Sequence, residues 1–337
     1  MNTTNYRYNL DEVSFLRPIL IVLVVLYHSM AIHVGSWEMP EGLSTIPAYK
    51  AIGRLSYSFM LEAFVFISGY VWAYQRESRG KLENFWKLLS KKIQRLILPA
   101  FLFGLIYIIL FERDNLTIMN IVEGPGHLWF LPMLFECFLV GWCILSLKIS
   151  PFVVIPVLFV IAVFRPMDIP FRVSYTMYYL PFFMSGYYIY RKFDWLKKKS
   201  NFQTVIVGWV LFFLSYFVIV LLRGWILSKY QSFVVLQVIK EGGTIIYAMI
   251  GTLAILNTAV FVTQLIKIRD WYIRIGGLCM GVYIFQQFVI WGLYYKTGFL
   301  SLVNEYFAPW IGFTLGLSVS LLCALFIKKT ILGKYIL

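Results

Sequence analysis

The chain has 337 residues, of which 60% are hydrophobic and only 14% charged. A soluble domain of this length carries roughly 25% charged residues, so apolar runs of about 20 residues, repeated along the chain, read instead as a polytopic helical membrane protein. The net charge of +14 needs no nucleic-acid partner, because Lys and Arg accumulate in loops on the cytoplasmic side of a membrane.

An all-α fold of ten transmembrane helices is predicted, forming one domain over 1–337. The spans lie at about 16–35, 55–75, 95–111, 127–147, 150–164, 173–190, 203–222, 243–265, 272–295 and 306–327. Pro99, Pro132, Pro156 and Pro181 fall within or at the ends of spans, where neighbouring helices satisfy the freed carbonyls. The N-terminal segment is polar, carries Asp11 and Glu12, and is not followed by a small-residue cleavage site, so no cleavable signal is expected. Cys137, Cys143, Cys279 and Cys323 sit inside apolar runs without CxxC spacing, which points to packing rather than disulfides or metal. No internal repeat is expected.

Loop charge sets the orientation. With both termini inside, the cytoplasmic loops hold roughly twice as many Lys and Arg as the outer ones. They include Arg7, Lys81 and Lys334, and the dense stretch at 76–95. The first span then runs outward, with Arg17 near the cytoplasmic surface and His28 past the midplane. Eleven residues at ~100° each bring both side chains to one face, about 16 Å apart in rise. A cation and an imidazole in a membrane helix are costly unless they face a protein interior or a water-filled cavity.

By depth alone, Glu62, His127, Glu136, Glu241, Gln286 and Gln287 approach the level of His28 from other spans. His28 is expected to act as a general base, with Glu62 bonded to its second nitrogen. Arg17 is expected on the path of an anionic cofactor, and the cluster Lys91, Lys92 and Arg95 suits phosphates. His127, Trp129, Glu136, Glu241, Gln286 and Gln287 are the expected substrate contacts. Three histidines and Glu62 fit no compact ligand spacing, so no metal is expected.

These residues resemble the acyltransferase 3 family of bacterial integral-membrane O-acyltransferases. Arg17 and His28 match its Arg-x10-His motif. Phe-Val-Phe-Ile-Ser-Gly-Tyr at 64–70 is similar to its Phe-Phe-x-x-Ser-Gly-Phe segment, with Glu62 just upstream. Lys92 to Arg95 resembles its Arg-x-x-Arg motif, with Lys in place of the first Arg. Gly-His-Leu-Trp-Phe-Leu-Pro at 126–132 is similar to the His-Leu-Trp-Phe-Leu form of the sugar O-acetylase branch. The segment 277–288 resembles the penultimate span, but Gln286 and Gln287 stand where a His often follows, so no second histidine role carries over there.

The resemblance implies transfer of an acetyl group from acetyl-CoA to a sugar hydroxyl of an envelope or exported polysaccharide, or of its lipid-linked precursor. It places the protein in a bacterial plasma membrane. By it, His28 is the base with Glu62 as its partner, and Arg17, Lys92 and Arg95 assist coenzyme binding; Lys91 and Ser68 are further residues expected at the coenzyme. A pantetheine arm of roughly 15–20 Å is comparable to the ~16 Å between Arg17 and His28. No fused extracytoplasmic esterase-like domain is expected. The competing expectation is an exporter of glycan or lipid-linked sugar, since intramembrane His and Glu also suit proton-coupled transport. An enzyme consumes acetyl-CoA and needs His28, whereas an exporter moves an unmodified glycan.

Overall fold

The computed structural model describes residues 10–80, 82–167, 169–229, 232–330 and 333; Arg7, Lys81 and Lys334 lie outside them. The described residues form helices and loops, with no strand among them. Among the described residues, helices overlap all ten predicted spans. They are α1 (Asp11–Ser29), α2 (Met60–Arg79), α3 (Leu98–Phe111), α4 (Phe130–Ser146), α5 (Pro151–Val163), α6 (Val173–Tyr190), α7 (Phe202–Lys229), α8 (Gly243–Leu265), α9 (Cys279–Lys296) and α10 (Ala308–Lys328). Among the described residues, seven helices are long and apolar enough to cross a membrane, or eight if Asp270–Gly276 and α9 count as one bent span. The other two fall short for different reasons. α5 has 13 residues, about 20 Å of helix against a hydrocarbon layer of about 30 Å. α6 carries six tyrosines, which dilute its aliphatic content.

Three details depart from the prediction. The ninth span is not straight: it bends by 55° between Gly276 and Cys279. A Cβ on Gly276 would meet the Ser14 carbonyl at 3.7 Å and the Pro18 ring at 3.9 Å, both in α1. The third span is preceded by a helix, Phe85–Lys92, joined to α3 through a π-helical turn, Ile93–Ile97. A second π turn, Val238–Gly242, leads into α8. Such turns are uncommon and cluster at functional sites. Of the cysteines, Cys137 and Cys279 are buried, Cys323 is half-buried and Cys143 is exposed, and all four are free thiols.

α1 is the hub. Asp11 and Glu12 occupy its first turn, where the helix dipole favours negative charge. The aliphatic run that follows packs against α2, α8, α9, α10 and the helix Pro47–Tyr57. Hydroxyls from neighbouring segments fasten it. Tyr272 donates to the Phe15 carbonyl at 3.0 Å and Tyr294 to the Ser29 carbonyl at 2.7 Å. Tyr70 of α2 donates to the buried Glu12 carboxylate at 2.8 Å. Around this assembly α7 turns an almost wholly apolar, exposed surface outward, as lipid contact demands.

α2 and α6 carry a short repeat that was not expected. Phe-x-Ser-Gly-Tyr occurs at 66–70 and again at 183–187. The two helices run parallel: Glu62 meets Tyr178, Tyr70 meets Tyr190 and Glu77 meets Arg191. Each glycine lies on the other segment's main chain. A Cβ on Gly69 would fall on the Phe183 carbonyl, and one on Gly186 on the Phe66 carbonyl. The pair is a reciprocal crossing built on small residues, the device by which membrane helices approach closely. Gly69→Ala or Gly186→Ala should therefore destabilise the protein by about 1–3 kcal/mol, read as a lower unfolding temperature in detergent. Gly292→Ala is the control, since its nearest neighbour stands 3.8 Å from the added carbon, and it should leave that temperature unchanged.

Candidate active site

Three cavities lie in series beside α1. The first, of about 400 Å³, opens among Arg17 of α1, Lys92 and Arg95 of the π-helical junction, and Ser68 and Gln75 of α2. The π turn is what presents Lys92 and Arg95 together. Gly276, Gly277 and Cys279 line the opposite side, at the bend before α9. Its deeper walls are apolar, including Ile21, Phe64, Leu131 and Leu134. Lys92 Nζ stands 3.3 Å from the centre of the Phe138 ring, a cation–π contact that holds the ammonium at the cavity. Lys91 is turned away: it does not line the cavity and pairs with Glu83 at 2.5 Å. Ser68 lines it while donating its hydroxyl proton to the Phe64 carbonyl at 2.8 Å.

The second cavity, of about 320 Å³, holds His28, His127 and Gln287 within an aromatic wall that includes Trp37, Tyr107, Trp129 and Trp291. Val24, Leu61, Phe130 and Tyr283 line both the first and second cavities and form the partition between them. His28 Nδ1 lies 2.9 Å from the Val24 carbonyl one helical turn back. A carbonyl can only accept, so Nδ1 carries the proton and Nε2 is the basic nitrogen of the neutral ring. His127 is the mirror case. Its Nε2 donates to the Ile284 carbonyl at 3.0 Å, while its buried Nδ1 has no partner in the protein. The His127 carbonyl accepts the hydroxyl of Tyr283, so α9 holds this residue from both sides. The two imidazoles meet edge-on, their ring centres 6.1 Å apart. Gln287 Nε2 donates to the Tyr107 hydroxyl at 3.0 Å, and its buried Oε1 has no protein partner.

The third cavity, of about 760 Å³, is lined by Glu62, Glu241, Arg54, Arg165, Arg223 and several tyrosines. It shares Tyr27, Ser36 and Tyr57 with the second and no residue with the first.

The sequence-based expectations sort themselves by cavity. Arg17, Ser68, Lys92 and Arg95 share the first cavity; His28, His127, Trp129 and Gln287 share the second. The expected His28–Glu62 pairing is not formed. Glu62 accepts from Tyr178 at 3.1 Å and faces the third cavity, and main chain rather than carboxylate orients His28. Glu241 also lies in the third cavity, paired with Arg165 at 2.8 Å. Glu136 accepts from Thr176 at 2.6 Å and joins α4 to α6, away from all three cavities. Gln286 is fully buried with neither side-chain oxygen nor nitrogen partnered, and it too lines none of them. Among the described residues no three His, Cys, Asp or Glu side chains are grouped as a metal ion requires. Sequence reasoning missed Arg54, Arg165 and Arg223 as cavity residues, and all of the second cavity's aromatic wall but Trp129.

A family model described as an acyltransferase domain matches residues 10–329. The chain belongs to the acyltransferase 3 family. No curated protein and no solved structure gives a significant match. The match and the helices long and apolar enough to cross a membrane make this chain a membrane acyltransferase. An acyltransferase must bring two substrates to one basic group and keep water from the acyl carbon. The second cavity holds two histidines and Glu112 among aromatic side chains, with a neighbouring cavity on each side. If the acyl group passes the partition, Val24→Phe and Leu61→Phe should each cut acyl transfer at least tenfold. Thermal unfolding run in parallel identifies the folded variants. A full rate in a folded variant would mean that the two cavities do not communicate there.

Proposed function

We propose that this acyltransferase moves an acetyl group from cytoplasmic acetyl-CoA to a sugar hydroxyl of an envelope or exported polysaccharide, or of its lipid-linked precursor, in a bacterial plasma membrane. The reading takes residues 1–337 as one domain of ten spans with both termini inside. The observation that carries it is the placement of Arg17, Lys92 and Arg95 around one cavity and of His28 in the next, with four side chains between them. Phosphates suit the basic mouth, because charged hydrogen bonds from Arg and Lys are the strong ones. The apolar depth of that cavity suits the pantetheine arm and the thioester. The ~16 Å rise from Arg17 to His28 matches the length of such an arm.

The chemistry follows from the His28 tautomer. Nε2 takes the proton from the acceptor hydroxyl as its oxygen attacks the acetyl carbonyl carbon. The C–S bond breaks, the acetyl ester remains on the sugar, and coenzyme A leaves as the thiolate, which recovers a proton. The Val24 carbonyl stabilises the imidazolium formed in between, since it already accepts from Nδ1. His127 and Gln287, with their unpartnered acceptors, bind the groups that flank the reacting centre.

The two ends should separate under mutation. Arg17→Ala, Lys92→Ala and Arg95→Ala should each weaken acetyl-CoA binding about 10- to 100-fold, as expected for loss of a charged hydrogen bond of about 1.5–3 kcal/mol. His28→Ala should bind acetyl-CoA normally and lose at least ~10²–10⁴-fold in transfer. His28→Gln should fail equally, because an amide cannot accept the proton. Calorimetry and an acetyl-transfer assay on purified, folded protein measure the two effects. A His28→Ala enzyme working near the wild-type rate would sink the assignment of the base.

Orientation has its own test. The stretch at 76–95 is rich in Lys and Arg, which favours the cytoplasmic side. In a cysteine-free background, an impermeant maleimide applied to intact cells should label Thr297→Cys and spare Lys87→Cys. The reverse pattern would invert the topology.

A further inference from the structure

We infer that the third cavity is the acceptor site, and that the acceptor is a saccharide bearing an oxyanion, either a sugar carboxylate or a phosphate. This rests on the acetyl-transfer reading above and adds the side from which the acceptor comes and the chemistry that recognises it.

The cavity has room for it, at about 760 Å³, within the range of small-ligand sites. It also leads to the base. Tyr27, Ser36 and Tyr57 line it and the His28 cavity alike, and Tyr27 directly precedes His28 in α1. The Tyr27 hydroxyl meets Ser36 Oγ at 2.6 Å, and the Tyr27 and Tyr57 rings lie 4.5 Å apart. This partition consists of side chains. The donor cavity lies elsewhere, sharing no lining residue with the third.

Two observations point to a ligand. The first is Glu62. It is 4% exposed, its Oε1 accepts from Tyr178, and its buried Oε2 has no partner in the protein. A buried acceptor left unbonded is costly, and a sugar hydroxyl is the donor that a polar, tyrosine-lined cavity would receive. The second is the charge balance. Arg165 is answered by Glu241, both side chains about 10% exposed, and its guanidinium lies 4.6 Å from the Tyr178 ring centre. Arg54 and Arg223 have no acidic partner among the described residues, yet both line the cavity. Arg223 stands towards the C-terminal end of α7, just past the predicted span at 203–222. Two unanswered guanidiniums beside one carboxylate oxygen that lacks a donor suit a ligand with hydroxyls and an oxyanion.

The test uses the full chain in phosphatidylcholine nanodiscs, with acetyl-CoA binding measured on every sample. Three probes are titrated calorimetrically: trigalacturonate, neutral galactotriose, and a prenyl diphosphate-linked N-acetylglucosamine. At least one anionic probe should bind ten times more tightly than galactotriose. If trigalacturonate has the advantage, the anion belongs to the sugar; if the diphosphate has it, the anion belongs to the lipid carrier. Arg54→Gln/Arg223→Gln should erase the advantage, and Glu62→Gln should weaken the preferred probe about tenfold, with acetyl-CoA affinity unchanged in both. The inference is overturned if galactotriose binds as tightly as both anionic probes, if the preference survives the double variant, if Glu62→Gln leaves saccharide affinity intact, or if no probe binds to protein that binds acetyl-CoA. Failure of the wild-type protein to bind acetyl-CoA would instead strike the donor reading.

Discussion

A histidine inside a membrane helix must have its ring nitrogens accounted for without help from bulk water. In this protein the main chain does most of that work. His28 donates to Val24, His127 donates to Ile284, and tyrosines from α9 donate to the carbonyls of His127 and Ser29. Each of these bonds spends the proton of one group on a carbonyl that can only accept. What remains on each imidazole is a single lone pair, and its direction is set by backbone geometry. A charged partner is therefore unnecessary, and a carboxylate beside His28 would add a second buried ionisable group to satisfy.

The same economy explains α2. One face carries Phe64, Ser68 and Gln75 to the basic cavity, Leu61 stands in the partition, and Glu62 turns to the third cavity. The helix works as a wall between compartments only if its rotation is held. The reciprocal glycine crossing with α6 supplies that, because a main-chain contact leaves no room for the helix to roll. Tyr178 on α6 then reaches Glu62, and Thr176 on the same helix reaches Glu136.

Much of this was legible in the sequence, and the rest was hidden for a geometric reason. Among the described residues a helix overlaps each predicted apolar run, though only seven or eight are long and apolar enough to cross a membrane, and the spacing of Arg17 and His28 puts both on one side of α1. Depth, however, is only one coordinate. Glu62 enters at the level of His28 but faces another cavity, because its bearing around the helix axis depends on packing. Adjacent residues differ by about 100° in bearing, so Gln286 and Gln287 part company, as do Lys91 and Lys92. A basic cluster looked uniform, yet one lysine serves Glu83 and the next the cavity. The Phe-x-Ser-Gly-Tyr pair was too short to stand out as a repeat until the two copies were seen to touch.

If the proposed acceptor is a sugar, the arrangement also bears on why the acyl group would go to it and not to water. The first and third cavities share no lining residue, and each borders the second across side chains alone. On the proposed reaction, the thioester and the hydroxyl therefore meet beside His28, after each has crossed a partition. Val24, Leu61, Phe130 and Tyr283 close the donor side, and Tyr27 and Tyr57 with Ser36 close the other. Trp37, Tyr107, Trp129 and Trp291 form much of the remaining perimeter, with Glu112 among them. Aromatic walls exclude the water that would compete for the acyl carbon and strengthen each hydrogen bond inside. On that proposal, selectivity for the sugar rests on which molecule passes the tyrosine partition, while the helix backbone holds His28 in place.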